Sequence, residues 1–158
     1  MKPIDFPGIT IHFGLEEWNK KWAGGFIQQL RGVEENRFVL KVRAQGEVGT
    51  WLIVLPLGMI ECEKKYTSLE EQPGIVKSSK VVLENQRIEK MTQAGMDRIV
   101  KVECEKVDII LEFFGSGNII ITDKRGEILH ALESKEWKTR TIRRGNTYAP
   151  PPGPSKWN

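Results

Sequence analysis

Residues 93–123, QAGMDRIVKVECEKVDIILEFFGSGNIIITD, carry the clearest strand and turn pattern of the chain. Arg98 begins a predicted strand in which Val100 and Val102 share its side, because successive strand residues point to opposite faces. A turn at residues 115–118, GSGN, then separates two further apolar strands. Arg98 therefore opens an apolar face. Its guanidinium must meet a carboxylate, a carbonyl or a ligand phosphate there, since an unpaired buried charge costs several kcal/mol.

Alternating apolar residues and turn residues extend this pattern to two antiparallel meanders. After a short strand at residues 8–13, the predicted strands cover residues 25–33, 37–44, 50–55 and 59–63, then 86–92, 99–105, 107–114, 118–123 and 127–132. Helical spacing predicts one helix at residues 15–22 and a second that opens at Pro73 and closes at Asn85. The predicted fold class is α+β, with two antiparallel β-sheets and accompanying helices.

Length and composition predict one globular domain. The chain has 158 residues, of which 39% are hydrophobic and 28% charged. No run approaches the roughly 20 apolar residues of a membrane span, and the first residues lack a signal-peptide pattern. A cytoplasmic protein without a membrane partner is predicted. Cys62 and Cys104 lack metal-ligand spacing and are predicted as reduced core thiols, with a disulfide or a reactive thiol as the alternatives.

Positive charge is concentrated at the C-terminal end. Residues 135–158 hold six basic side chains against one acidic one, although the net charge of the whole chain is only +3. The prolines of residues 150–154 exclude a helix or an inner strand. We therefore predict a globular domain at residues 1–137 and a basic, proline-rich, extended tail at residues 138–158. A basic tail suits a polyanionic partner.

The sequence shows none of the usual catalytic constellations. His12 and His130 lie in different predicted strands, so no catalytic residue, metal site, cofactor or small-molecule substrate is expected. Ser116 lies in a glycine turn that matches neither a nucleophile elbow nor a phosphate loop. Among the five tryptophans, which could include a base-stacking platform, the first three are predicted to pack inside the protein and Trp157 to be exposed.

Two segments together resemble a known family. Residues 93–100, QAGMDRIV, and residues 112–123, EFFGSGNIIITD, are similar to the Q-x-G-x-D-R-I-V and E-L-x-G-x-G-N-I-I-L-T-D signature of the NFACT N-terminal domain. Arg144-Gly145 and Tyr148, followed by prolines, match the R-x-G-x-x-Y end of that domain. Its fold is similar to that of the N-terminal domain of formamidopyrimidine-DNA glycosylase.

The resemblance implies a function in ribosome-associated quality control. Factors of this family bind the large ribosomal subunit with an obstructed peptidyl-tRNA and recruit tRNA. The predicted function is therefore a non-catalytic module that binds the large subunit, through its rRNA, and/or tRNA. The family's long coiled coil and C-terminal domain are missing from the chain, which implies either an excised domain or a stand-alone relative.

The resemblance and the charge pattern together nominate site residues. The predicted RNA contacts are Asp97, Arg98, Lys80, Arg140, Arg143 and Arg144. The predicted turn and structural residues are Gly115, Gly117, Asn118 and Glu112. Two alternatives stay open: Arg98 could pair with Glu112 across the sheet while Asp97 caps a turn, and Lys80 could be a solvated helix residue.

Two other classes of function compete with RNA binding. The first is a protein-interaction or structural module that kept the fold without RNA contact. The second is a glycosylase-like nucleic-acid enzyme. Those enzymes use an N-terminal proline amine, whereas this chain begins Met1-Lys2-Pro3, so a non-enzyme is predicted.

Overall fold

A computed structural model describes residues 8–94 and 98–151 of the chain. Within them, two antiparallel sheets and two helices confirm the predicted α+β class. The first sheet has the order β1 (Phe26–Glu34), β2 (Arg37–Ala44), β3 (Glu47–Val54), β4 (Gly58–Glu61). The second has the order β5 (Ile88–Gln93), β6 (Ile99–Cys104), β7 (Val107–Glu112), β8 (Asn118–Asp123), β9 (Ile128–Ala131). A small ribbon pairs β10 (Lys135–Glu136) with β11 (Thr141–Ile142).

The first helix is longer than predicted. Helix α1 (Gly8–Trp22) includes residues 8–13, so the strand predicted there is wrong. Apolar residues Ile11, Leu15, Trp18 and Trp22 are spaced by four, three and four positions, which is a helical repeat. This repeat extends from Ile11 to Trp22, whereas the alternation that predicted a strand covers only residues 8–13. No helix in the described part of the chain is long and apolar enough to cross a membrane.

The main core lies between the two sheets and the helices. Trp18 and Trp22 of α1 are 2% and 1% exposed and pack in this core beside side chains of both sheets. The amide of Asn19 fixes α1 to β5, since it donates to the carbonyl of Met91 at 3.0 Å and accepts from its N–H at 2.7 Å. Helix α2 (Gly74–Leu83) packs against β1 and β9. The two meanders thus form one packed unit.

The second sheet is covered on both faces. Its inner face joins the main core, and its outer face carries Ile99, Ile110 and Ile120, over which the fully buried Ile142 of β11 packs. All six residues of β7 are buried as a result. A strand that is buried on both faces does not alternate between apolar and polar residues. The sequence of β7, VDIILE, lacks that alternation.

Residues 138–151 belong to the packed domain and do not form the predicted tail. The proposed boundary between residues 137 and 138 separates the two paired strands β10 and β11. The N–H of Ile128 donates to the carbonyl of Asn146 at 2.8 Å, and that of Tyr148 donates to the carbonyl of Gly126 at 2.8 Å. Without this segment the apolar outer face of the second sheet would be exposed to water, which explains why the segment folds back. Residues 152–158, including Trp157, lie outside the described residues.

Candidate nucleic-acid interface

Both halves of the sequence signature meet the turn that joins β3 to β4. The Nη2 of Arg98 donates to the carbonyl of Leu57 in this turn. On the other side, Gly117 adopts a φ of +81°, and a Cβ on it would stand 2.8 Å from the Cβ of Leu55. The carbonyl of Arg98 also accepts from the N–H of Phe113 at 2.7 Å. The signature therefore joins the second sheet to the first. Asp97 lies outside the described residues.

The alternative pairing of Arg98 with Glu112 is wrong for a geometric reason. Glu112 stands opposite Ile99 in the ladder between β6 and β7, and directly opposite residues share a face of the sheet. Arg98 precedes Ile99 by one residue, so its side chain points to the other face. Of the three partners that the sequence allowed for this guanidinium, the structure shows a carbonyl.

Glu112 instead holds a buried network with Arg140 and Tyr148. Its two carboxylate oxygens accept from Nη1 and Nη2 of Arg140 at 2.8 and 3.0 Å. The hydroxyl of Tyr148 donates to the same carboxylate at 2.7 Å. The Arg140 and Glu112 side chains are only 4% and 3% exposed, and Nη1 of Arg140 also donates to the carbonyl of Ala149 at 3.0 Å. This bidentate pair fastens residues 140–149 to the sheet.

The network sets the charge state of its members. Burial acts to lower the pKa of Arg140, but the hydrogen bonds and charge of Glu112 outweigh it and raise that pKa. Burial, followed by the charge of Glu112, raises the pKa of Tyr148 well above its ordinary value. Arg140 is therefore a cation and Tyr148 a neutral donor at neutral pH. Because its guanidinium is buried and bound to Glu112, Arg140 has a structural role in place of the predicted RNA contact.

Asn118 organises the chain next to the glycine turn. Its side-chain amide donates to the carbonyl of Glu133 at 2.9 Å, and its oxygen accepts from the N–H groups of Ile119 and Glu133 at 2.9 and 3.1 Å. The side chain is buried, with 1% exposed. It brings residues 133–135 beside the turn, where the Nζ of Lys135 binds the hydroxyl of Ser116.

A cleft of about 190 Å³ opens between the glycine turn and the β10–β11 ribbon. Its walls include the turn at residues 115–117, Lys135, Trp137 and Arg140. The Arg140 guanidinium lies 4.5 Å from the ring centroid of Trp137 and 5.6 Å from that of Phe114. Trp137 is 42% exposed. Sequence reasoning missed Lys135 and Trp137, although both lie in the basic segment that it singled out.

The other predicted cations are exposed but do not all lie together. Arg143 and Arg144 are exposed just after β11, and Arg143 has a loose pair with Glu136 at 3.7 Å. Lys80 is exposed on α2 and lines a different groove, of about 290 Å³, with Arg31 and Lys77. The charges of Arg143 and Arg144 therefore flank the ribbon, whereas Lys80 belongs to another part of the surface.

Comparison with known proteins gives both a family match and related chains. The family model of NFACT N-terminal and middle domains matches residues 7–158. The archaeal Rqc2 homolog aRqcH of Methanocaldococcus jannaschii is 30% identical over 132 residues, which are 75% of this chain and 19% of the relative. The ribosome quality control complex subunit NEMF homolog of Drosophila melanogaster is 27% identical over 137 residues, 80% of this chain and 13% of the relative.

Solved structures share the fold. The N-terminal domain of fibronectin-binding protein PavA from Streptococcus pneumoniae superposes with a TM-score of 0.83 at 24% identity, covering 92% of this chain and 62% of that one. The N-terminal part of the fibronectin/fibrinogen-binding protein from Streptococcus suis gives a TM-score of 0.85 at 25% identity, covering 94% and 62%. The chain thus spans less than two thirds of these structures and under a fifth of the curated relatives' length.

Proposed function

The chain belongs to the family of NFACT N-terminal and middle domains, and from this membership we propose that it is a non-catalytic RNA-binding module of the translation machinery. Its partner in this proposal is the large ribosomal subunit, tRNA or both, in the cytoplasm. The membership confirms the resemblance drawn from the signature residues. The curated relatives are named as ribosome quality-control factors, which supports a ribosomal partner.

The observation that carries the proposal is a basic segment fixed in place beside an open cleft. Arg143 and Arg144 are exposed in a segment that the buried Arg140–Glu112 pair fastens to the sheet. Arg143 and Glu136 have side chains 62% and 73% exposed, so their pairing is weak and leaves Arg143 able to exchange partners. Exposed arginines on a fixed backbone suit phosphate groups, which supply most of the affinity in RNA complexes of this kind.

We expect the double variant Arg143→Ala/Arg144→Ala to bind ribosomes more weakly and with less dependence on salt. Each lost phosphate contact should reduce the slope of log affinity against log salt by about 1. The measurement is co-sedimentation of the chain with ribosomal subunits, and binding to tRNA, across a salt gradient. Lys64→Ala/Lys65→Ala is the matched control, because it removes two adjacent exposed charges after β4.

Two results would count against RNA binding. Affinity that is independent of salt would indicate a protein contact, and equal losses in the two double variants would indicate nonspecific charge. A protein-interaction module is the second candidate function, because the solved neighbours carry names that refer to fibronectin and fibrinogen binding. Wild-type chain that fails to sediment with subunits even at low salt would favour that candidate.

Arg98 and Asp97 stay in the proposal as a contact pair of the kind that the family resemblance implies. Arg98 is half-buried at the end of the second sheet, where it binds the carbonyl of Leu57. We expect Arg98→Ala to weaken ribosome or tRNA binding by about 1–3 kcal/mol, the scale of a charge-assisted contact. Arg98→Lys keeps the charge but not the planar fork, so it separates charge from geometry. A destabilised Arg98→Ala protein that binds with undiminished affinity while folded would remove Arg98 from the interface.

Lys80 is proposed as a separate, peripheral contact. It is exposed on α2 beside Arg31 and Lys77, away from the ribbon. Lys77 is already paired with Glu71 at 2.5 Å, and Arg31 donates to the hydroxyl of Ser68 at 2.8 Å. Lys80 is thus the cation of this group that is proposed to contact RNA, since Lys77 and Arg31 already have side-chain partners. We expect a contact there to add affinity through charge alone.

A further inference from the structure

We propose that the cleft beside the glycine turn binds one unpaired nucleotide of the RNA partner, with its base stacked on Trp137 and its phosphate at Lys135. The inference rests on the proposed function and deepens it, because it names the form of RNA that this surface takes. It is carried by the exposure of Trp137, the charges of the cleft and the size of the cleft.

Trp137 is the first of these observations. Trp137 is 42% exposed, whereas Trp18 and Trp22 are 2% and 1% exposed. The Arg140 guanidinium, itself fixed by Glu112, contacts the rings of both Trp137 and Phe114, at 4.5 and 5.6 Å from their centroids. Trp137 is thus an exposed aromatic side chain held against a fixed guanidinium. A base that adds to such a platform gains stacking energy without any sequence requirement.

The charges of the cleft favour an anion. Two cations, Lys135 and Arg140, line the cleft with one carboxylate, Glu112, and Arg140 neutralises that carboxylate. Lys135 binds the hydroxyl of Ser116, lies 5.9 Å from the ring centroid of Trp137, and has a second contact with Glu133 at 3.2 Å. The Glu133 side chain is 52% exposed, so this ion pair is weak. A phosphate can therefore replace Glu133 at the ammonium of Lys135.

Size decides how much of a ligand the cleft takes. Its volume of about 190 Å³ is below the roughly 300–1,000 Å³ of pockets that enclose a complete small ligand. The cleft therefore fits one planar group of a longer molecule. A base inside a duplex is stacked on its neighbours and cannot enter, so the nucleotide must be unpaired.

The test uses the full chain and a single-stranded RNA hexamer, oligoadenylate with one 2-aminopurine. We expect Trp137→Leu to weaken binding about 5- to 150-fold, which corresponds to about 1–3 kcal/mol of stacking. Trp137→Phe should retain most of the affinity, and the 2-aminopurine signal should change on binding to wild type only if the base stacks. Phe26→Leu is the matched control: Phe26 is 38% exposed with the Arg43 guanidinium 5.3 Å from its ring centroid, and its loss should leave affinity unchanged.

Lys135→Gln supplies a second variant that keeps the aromatic platform. We expect it to reduce the salt slope of hexamer binding by about 1, with the 2-aminopurine signal retained at saturation. Melting curves of each variant establish that it is folded under the binding conditions.

Three outcomes would overturn the inference. They are equal hexamer affinity of Trp137→Leu and Trp137→Phe, equal binding of a duplex of the same length, and displacement of the hexamer by hexaglutamate at equal charge. Each would show that the cleft does not take an unpaired base. Because ribosome co-sedimentation of the wild type is measured separately, those outcomes leave the proposed function standing, whereas wild type that binds the hexamer but no ribosome or tRNA contradicts the proposed function itself.

Discussion

Replacing Arg140 with alanine should lower the free energy of unfolding by about 3–5 kcal/mol, because it leaves the buried carboxylate of Glu112 without its cation. For a chain of this size that loss corresponds to a decrease of roughly 6–20 °C in melting temperature. Glu112 is 3% exposed at the side chain, so water does not replace the two lost hydrogen bonds. The Glu112 carboxylate then keeps one donor, the hydroxyl of Tyr148, in place of the three that it has in the wild type. Thermal and urea unfolding of the purified variant measure the loss.

Two further variants show whether the buried charge is the cause. Glu112→Leu/Arg140→Met/Tyr148→Phe removes all three polar groups together, and we expect it to recover most of the stability, since well-packed apolar replacements of buried ion pairs are often neutral. Arg143→Ala removes an exposed arginine from the same segment and should change stability by less than about 0.5 kcal/mol. Similar melting temperatures for Arg140→Ala and Arg143→Ala would contradict the structural role of the network.

The contrast between these two arginines shows where prediction from the sequence stops. Arg140, Arg143 and Arg144 stand in one polar, basic stretch, and nothing in its composition separates a core ion pair from a surface charge. The separation depends on Glu112, 28 residues earlier in the chain, and on the face of the sheet to which that carboxylate points. Long-range pairings of this kind do not leave a local pattern. The outward charges of Arg143 and Arg144 were predictable, whereas the burial of Arg140 was not.

The second sheet was the most predictable part of the fold. Strands β6, β7 and β8 have apolar runs bounded by turn residues, and their predicted positions differ from the observed ones by at most two residues at any end. The ribbon of β10 and β11 was not predicted, because each strand has only two residues and shows no periodicity. The ribbon lies where it does because Ile142 of β11 covers the apolar outer face of the second sheet. The fully buried β7 shows that this face needs a cover, but its sequence does not show which segment provides it.

The cleft also could not be predicted from the sequence, because it depends on contacts between residues of different elements. Trp137 was grouped with the other tryptophans, and only the placement of Arg140 beneath its ring makes it a fixed platform. The buried network and the proposed nucleotide site therefore share Glu112 and Arg140, and a change at either residue would affect both. Variants of Trp137 and Lys135 test binding with the network intact.

The last expected result concerns the glycine turn, where Gly117→Ala should cost about 2–5 kcal/mol of stability. Gly117 has a φ of +81°, which costs a residue with a side chain about 1–2 kcal/mol. The added Cβ would also stand 2.8 Å from the Cβ of Leu55 and 3.2 Å from the Cα of Pro56, and such overpacking costs about 1–3 kcal/mol more. Unfolding by heat and urea measures the sum.

Gly115 in the same turn is the matched control. It also has a positive φ, of +58°, but a Cβ built on it meets no atom within 4 Å. Gly115→Ala should therefore cost only the backbone term, about 1–2 kcal/mol. The difference between the two variants isolates the contact that joins the signature turn of the second sheet to the β3–β4 turn of the first. If both alanines cost the same, that contact imposes no constraint on the turn, and the glycine at position 117 is needed only for its backbone conformation.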